Sequence, residues 1–335
     1  MDEEEIWPKG YINQVTYWGE HPTREKYFAA DEKFFVPVWK RVPVPNTWAK
    51  WSARFFAGES AAVERFYEAH DAESLVYRYN AAFADFMRTY SEGVRRGKPY
   101  FDTQGKRISN GYMLWKINDS WPQFYCSLVD FFMETYIPYY QVKRSYSPLL
   151  LSFEDENHLL LWGVNDTARD VAGTLRVVGF SMANNRVMDE FSIPVLIRAG
   201  ESKVLTNLDP ICPIIREWIV YASLTDADGR ELARKDTFIE LERYLTFPEA
   251  RLDLRVEGDE IVVTTDRVAH CVELGAGKDG EAFGWLFEDN YFNLLPFEEK
   301  RVKVLACPGP DTVRAKAHYS PYVAEVAYQG KRTEI

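Results

Sequence analysis

Glu217-Trp-Ile-Val-Tyr-Ala-Ser-Leu-Thr-Asp-Ala-Asp-Gly-Arg-Glu-Leu-Ala-Arg-Lys-Asp-Thr-Phe-Ile-Glu-Leu241 reads as two β-strands joined by one tight turn. Residues 217–225 and 230–241 are the strands. Asp226-Ala227-Asp228-Gly229 forms the hairpin between them, because Asp and Gly reach backbone conformations that β-branched residues avoid. The same texture extends in both directions. Upstream, strands are expected at 149–154, 158–165, 171–181, 187–197 and 202–207, broken by turn signals. With the hairpin this makes seven strands in about a hundred residues, the pattern of an immunoglobulin-like sandwich. Downstream, a second set is expected at 251–256, 260–265, 269–274, 284–288, 301–306, 313–318 and 324–328, with its first turn at Glu257-Gly258-Asp259. Phe247-Pro248-Glu249 reads as a short linker, and no helical periodicity follows residue 150.

Before about residue 146 the sequence is helical and aromatic. Leu75, Val76, Tyr79, Phe83, Phe86, Met87, Tyr90 and Val94 recur at three- and four-residue spacing, which predicts a helix from about Ala72 to Val94 with one apolar stripe. Asp71 is its expected N-cap, and Gly97 lies where a left-handed residue often closes a helix. A shorter helix is expected over Ser60 to His70, and the two prolines within Val42 to Asn46 make that stretch a loop. Gly111-Tyr-Met-Leu-Trp-Lys-Ile-Asn118 reads as a strand and Asp119-Ser120-Trp121-Pro122 as the turn after it. One strand cannot make a sheet, and only Tyr11 to Trp18 offers a second. Residues 1–146 are therefore expected to be part of a larger parallel barrel or sheet. Their orphaned strand should dock on a sandwich, pair between chains or stay partly disordered.

Composition narrows the function classes. Formal net charge is −11, a balance that repels nucleic acid, and the short basic run Arg95, Arg96, Lys98 falls at a helix end, where cations complement the dipole. Cys126, Cys212, Cys271 and Cys307 include no C-x-x-C pair, and the five histidines are scattered singly, so the spacing points to neither a disulfide framework nor a zinc site. No cofactor is implied. The acidic start, Met1-Asp2-Glu3-Glu4-Glu5, lacks the regions of a signal peptide, and no apolar run approaches the ~18 residues of a membrane span. The chain reads as soluble with no membrane partner, its compartment left open between cytoplasm and export. Asn118-Asp-Ser120 and Asn165-Asp-Thr167 match the glycosylation acceptor pattern.

Two segments carry a resemblance. Gly111 to Pro122, with its pattern G-x-x-x-W-x-x-N-D-x-W-P, resembles the final barrel strand of family 2 β-mannosidases and related exo-glucosaminidases. The likeness continues through Asp130 to Tyr139-Tyr140, Lys143-Arg144 and Pro148. Phe287-Glu-Asp-Asn-Tyr-Phe-Asn-Leu-Leu-Pro296 resembles a segment of the last immunoglobulin-like domain of those enzymes, where Asn293 and Phe297 depart from the commonest Asp and Gly. Trp18-Gly-Glu-His21 is a weaker likeness.

The resemblance implies a mixed α and β chain: the C-terminal remnant of a (β/α)8 TIM barrel over 1–146, then immunoglobulin-like β-sandwich domains over 147–246 and 247–335. It implies a retaining glycoside hydrolase acting on terminal β-mannosides or β-glucosaminides with two glutamates about 5–5.5 Å apart. The Asn-Glu and Ser-Glu motifs that carry those glutamates have no counterpart here, so this chain is expected to lack both and to be inactive alone, its partner being the missing N-terminal part of the same enzyme.

Active sites of such barrels sit at the C-terminal ends of the strands. That makes Trp115 the leading substrate-binding candidate, as a platform under the sugar, followed by Asn118, Asp119 and Trp121. Each also has an ordinary reading, as core Trp or turn residue. Glu20 beside His21 has no second carboxylate at useful spacing. The rival function is a non-catalytic carbohydrate-binding or structural β-sandwich protein, which an exposed row made of Trp162, Trp218 and Trp285 would favour.

Overall fold

The computed structural model describes residues 65–67, 72–97, 103–105, 111–118, 127–129, 133–155, 158–209, 217–277 and 284–331. Helix α1 spans Ala72–Arg96 and helix α2 spans Ile137–Ser145. Tyr79, Phe83 and Met87 of α1 are buried in one cluster with Phe66 and Leu128, against which Leu114, Ile137, Tyr139 and Val142 also pack. The apolar stripe ends one turn earlier than its spacing predicts. Tyr90 is exposed, because Ser91, Glu92 and Arg95 take the inward face where α1 meets α2 and the first sandwich. Gly97 closes α1 with a bond from its N–H to Gly93 O at 2.9 Å, but not in the left-handed region. Arg65 to Tyr67 form a bend where a helix was expected, while Asp71 falls outside the described residues.

The first sandwich contains β1 (Leu149–Glu154), β2 (Leu160–Asn165), β3 (Val171–Ser181), β4 (Arg186–Ile197), β5 (Ser202–Asn207), β6 (Trp218–Thr225) and β7 (Glu231–Phe238). They form two antiparallel sheets of order β1-β2-β5 and β4-β3-β6-β7. The Asp226 carboxylate builds the β6–β7 turn by accepting from the N–H groups of Asp228 and Arg230, and Gly229 sits at φ 80°. Leu175, Val177, Val220, Ala222 and Leu224 fill the space between the sheets.

The second sandwich contains β8 (Leu252–Glu257), β9 (Glu260–Thr265), β10 (Ala269–Ala276), β11 (Leu286–Phe287), β12 (Phe292–Leu294), β13 (Lys300–Ala306), β14 (Asp311–Lys316) and β15 (Val323–Tyr328), with sheet orders β12-β10-β14-β15 and β11-β13-β9-β8. Two elements go beyond the sequence reading here: β12, and a single 3-10 turn at Glu242–Tyr244 in a region with no helical periodicity.

The sandwiches share a core. Val178, Phe180, Ile219 and Tyr221, on the outer faces of β3 and β6, and Met182 just after β3 are buried together with Leu245, Val268 and Leu295. Phe247, in the expected linker, stacks on His270 at 4.3 Å and on Tyr319 at 5.3 Å. Burial on both faces explains why β6 reads as an unbroken apolar run rather than an alternating one.

Candidate functional site

Among the described residues, the segment expected to be a barrel strand, Gly111 to Asn118, forms one isolated parallel bridge, Asn118 to Val129. A strand needs neighbours to fill its hydrogen-bonding edges, and what this segment finds is Leu128 and Val129, whose N–H groups donate to Ile117 O at 3.0 and 2.9 Å. It nonetheless alternates: Leu114 packs on the helical cluster, while Met113, Trp115 and Ile117 are 97%, 81% and 67% exposed. Tyr112 meets Tyr146 at a ring separation of 5.8 Å, and the Trp115–Lys116 peptide is cis. Trp115 therefore presents its indole to solvent, with Asn118 exposed three residues further on. Asp119 and Trp121, like Trp18, Glu20 and His21, lie outside the described residues.

A cavity of about 680 Å3 opens where α1, β7 and the second sandwich meet, its wall carrying Asp85, Arg88, Lys235, Glu242, His270 and Asp289. These charges face one another or their neighbours: Arg88 with Asp85 at 2.7 Å, Lys235 with Glu92 at 2.7 Å and Lys300 with Asp289 at 2.6 Å. Glu242 accepts from Tyr319 at 2.7 Å and Tyr77 at 3.1 Å, and faces His270 Nε2 at 3.1 Å. Burial, and then the Glu242 charge, push the Tyr77 hydroxyl well above the usual phenol range, so it stays a donor. The wall is thus a mutually satisfied polar junction between elements.

The departure at Asn293 has a local reason. Its Nδ2 donates to Asp236 at 2.5 Å, while its Oδ1 accepts from Cys271 N at 3.0 Å and faces His270 Nδ1 at 2.9 Å. An Asp at 293 would set two carboxylates side by side. Phe297, the other departure, packs near Phe180 and Tyr221 with Arg176 over its ring. The junction was not visible in the sequence, since it joins residues as distant as Tyr77 and His270, 193 positions apart, that show no common spacing.

Comparisons with known proteins follow the same order of elements. Residues 157–242 match the mannosidase Ig/CBM-like domain and residues 245–317 the mannosidase Ig-fold domain. β-Mannosidase B of Aspergillus niger is 22% identical over 276 residues, covering 76% of this chain and 32% of that protein. The β-D-mannosidase of Dictyoglomus thermophilum superposes with a TM-score of 0.65 at 19% identity, over 99% of this chain and 40% of that one. The chain resembles the C-terminal portion of a β-mannosidase-like family 2 glycoside hydrolase. The exo-chitosanase of Amycolatopsis orientalis is a further structural neighbour, with a TM-score of 0.62 at 15% identity over 80% of this chain and 36% of that one. The chain spans about a third of the length of the curated β-mannosidases it matches.

In this β-mannosidase-like chain Trp162, Trp218 and Trp285 are all buried, Trp162 donating from its indole to Glu154 at 2.6 Å, so they form no exposed row for a sugar. Asn165 of the second acceptor pattern is fully buried, its amide donating to Arg169 O and Ile197 O and its oxygen accepting from Thr167, which closes it to glycosylation in the folded state. Arg95 and Arg96 do more than complement the helix dipole: they bond Ser147 O, Asp166, Ser152 and Phe153 O, fastening α1 to the first sandwich. Cys271 and Cys307 are buried and not in a disulfide, and Cys126 and Cys212 lie outside the described residues. Among the described residues there is no cluster of His, Cys, Asp and Glu that could hold a metal, and no helix long and apolar enough to cross a membrane.

Proposed function

We propose that this chain is the C-terminal part of a retaining exo-glycosidase acting on terminal β-mannosides or β-glucosaminides. Residues 1–146 would belong to its (β/α)8 barrel, and 147–246 and 247–335 would be sandwiches that brace it. The observation that carries the reading is the segment Gly111 to Asn118. It alternates like a strand, rests on α1 by Leu114, and leaves Met113, Trp115 and Ile117 uncovered ahead of two mannosidase-type sandwiches. A flat indole stacks on the apolar face of a sugar ring, and the carboxamide of Asn118 can share hydroxyl hydrogens. Asp119 and Trp121 complete the proposed substrate-facing set. The chemistry would be protonation of the leaving oxygen by one glutamate and attack by another to give a glycosyl ester, which water then hydrolyses. Both glutamates would come from the rest of the barrel.

The pure chain should release no aryl alcohol from aryl β-mannosides or aryl β-glucosaminides, and turnover by contaminant-free protein would overturn that. Sequencing the gene upstream of Met1 tests the wider reading. The expected result is an open frame of about 500 residues with Asn-Glu and Ser-Glu motifs, sized for most of a barrel plus sandwiches. A stop codon immediately upstream would refute it.

A further inference from the structure

Arg144, in the continuation of the first segment that carries the family likeness, and Asp289, in the second, lie 145 residues apart, yet they form one contact. Arg144, in the last turn of α2, donates from Nη1 to Asp289 Oδ1 at 2.6 Å and to Asn290 O at 3.0 Å, and from Nη2 to Tyr291 O at 3.2 Å. Lys143 donates to Glu288 O, and the Tyr140 ring sits 5.9 Å from that of Tyr291. The receiving loop is fixed by its own sandwich. Lys300 holds Asp289 at 2.6 Å, and the Asn290 side chain bonds both N and O of Leu274 at 2.7 and 2.9 Å. Tyr291, at φ 52°, turns the chain so that successive carbonyls meet the guanidinium.

The other end of α2 runs into the candidate site. Thr135 bridges Val129, Val129 bridges Asn118, and Tyr136 N donates to Leu128 O at 3.1 Å. Thr135 and Tyr140 join their hydroxyls at 3.0 Å, tying this entry to the first turn of the helix. A nine-residue helix is marginal by itself and takes its position from what it docks on. One side of α2 rests on α1 through Ile137, Tyr139 and Val142. Its last turn is held by the Asp289 loop.

We propose that Arg144 and Asp289 are positioning residues, through which the second sandwich holds α2 and thereby the Ile117–Asn118 end of the substrate-facing segment. Its meaning for catalysis rests on the function proposed above, but its structural content does not. A guanidinium is needed because its two terminal nitrogens span a carboxylate and two carbonyls at once, whereas a lysine ammonium offers one point of charge.

Hydrogen exchange on the intact chain tests this without substrate. Arg144→Met and Asp289→Asn should exchange the amides of Leu128, Val129 and Tyr136 about tenfold faster, with Val177 and Val220 in the first sandwich unchanged. Arg144→Lys should restore part of the protection, since it keeps the charge but not the span. Unchanged exchange at those three amides in either variant, or equal acceleration at Val177 and Val220, would overturn the proposal. Should Arg144→Met fail to fold, the near-isosteric Asp289→Asn carries the test. An inactive Trp115 would leave this result standing, and a negative exchange result would leave the proposed function untouched.

Discussion

Glu92 shows how much one side chain can decide. It is fully buried, and it accepts from Lys235 at 2.7 Å, Ser152 at 2.7 Å and Ser145 at 2.9 Å, joining α1 to β7, β1 and the end of α2. Burial alone would raise its carboxyl, but the charges of Lys235 and Arg88 and the donated bonds outweigh it and hold the group at about 2. Burial also pulls Lys235 down, so the pair stabilises by less than the carboxyl shift alone implies. Removing one partner is different, because it strands the other. Glu92→Gln should cost about 3–5 kcal/mol, read from urea midpoints. The sign with pH follows from a depressed folded value: the stabilisation is present above the ordinary carboxylate range and is lost as pH falls towards 2. Asp289, held at about 2 against burial by Arg144 and Lys300, adds in the same direction. Melting temperature should therefore hold steady above about pH 5 and fall steeply between about 4.5 and 2. Glu92→Gln should show a shallower fall, and an identical acid profile would remove Glu92 from this role.

At the scale of elements, the strands followed their local signals and the helical segment did so less well. The run β3 to β7 alternates or is continuously apolar with Asp-Gly punctuation, and strands formed where that texture lay. The short β12 hides within Asn290 to Leu295, where the Phe-Asn-Leu alternation lasts only three residues and the side chains of Asn290 and Asn293 bond neighbouring backbone. Helix α2 begins Ile137-Pro138, and the local pattern predicted no element there, although a proline in the first turn is compatible with a helix. Close approach also leaves a mark on single elements. A Cβ at Gly173 of β3 would lie 2.3 Å from Thr225 O in β6, a backbone atom that cannot swing away. Gly173→Ala should therefore destabilise by about 1–3 kcal/mol, with the urea midpoint falling at an unchanged slope. A neutral result would mean that β3 and β6 stand further apart than they do here.

Across the whole molecule, the sandwiches behave as one block. Leu295 is fully buried among Val178, Phe180, Met182, Ile219 and Tyr221, so the second sandwich completes a core that the first began. Leu295→Ala should cost about 2–5 kcal/mol, and calorimetry should show both sandwiches melting in one transition that shifts as a unit. Two transitions, with only the later strands moved by the substitution, would deny the shared core. The same arrangement bears on the candidate site. Trp115 stands on a segment reached from the second sandwich through Arg144, α2 and Thr135.

Local sequence was enough for every sandwich strand but β12, for the main helix, and for the likeness carried by Gly111–Pro122 and Phe287–Pro296, because each is written in residues close together along the chain. Folding was needed to bring Arg144, in the continuation of the first of these two segments, against the Asp289 loop of the second, to bury Asn165 and three tryptophans, and to pair Glu92 with Lys235 and Glu242 with His270. The reason is physical. A strand or turn depends on the preferences of neighbouring residues, whereas the burial of a polar group depends on which distant surfaces close over it, and no local pattern records that.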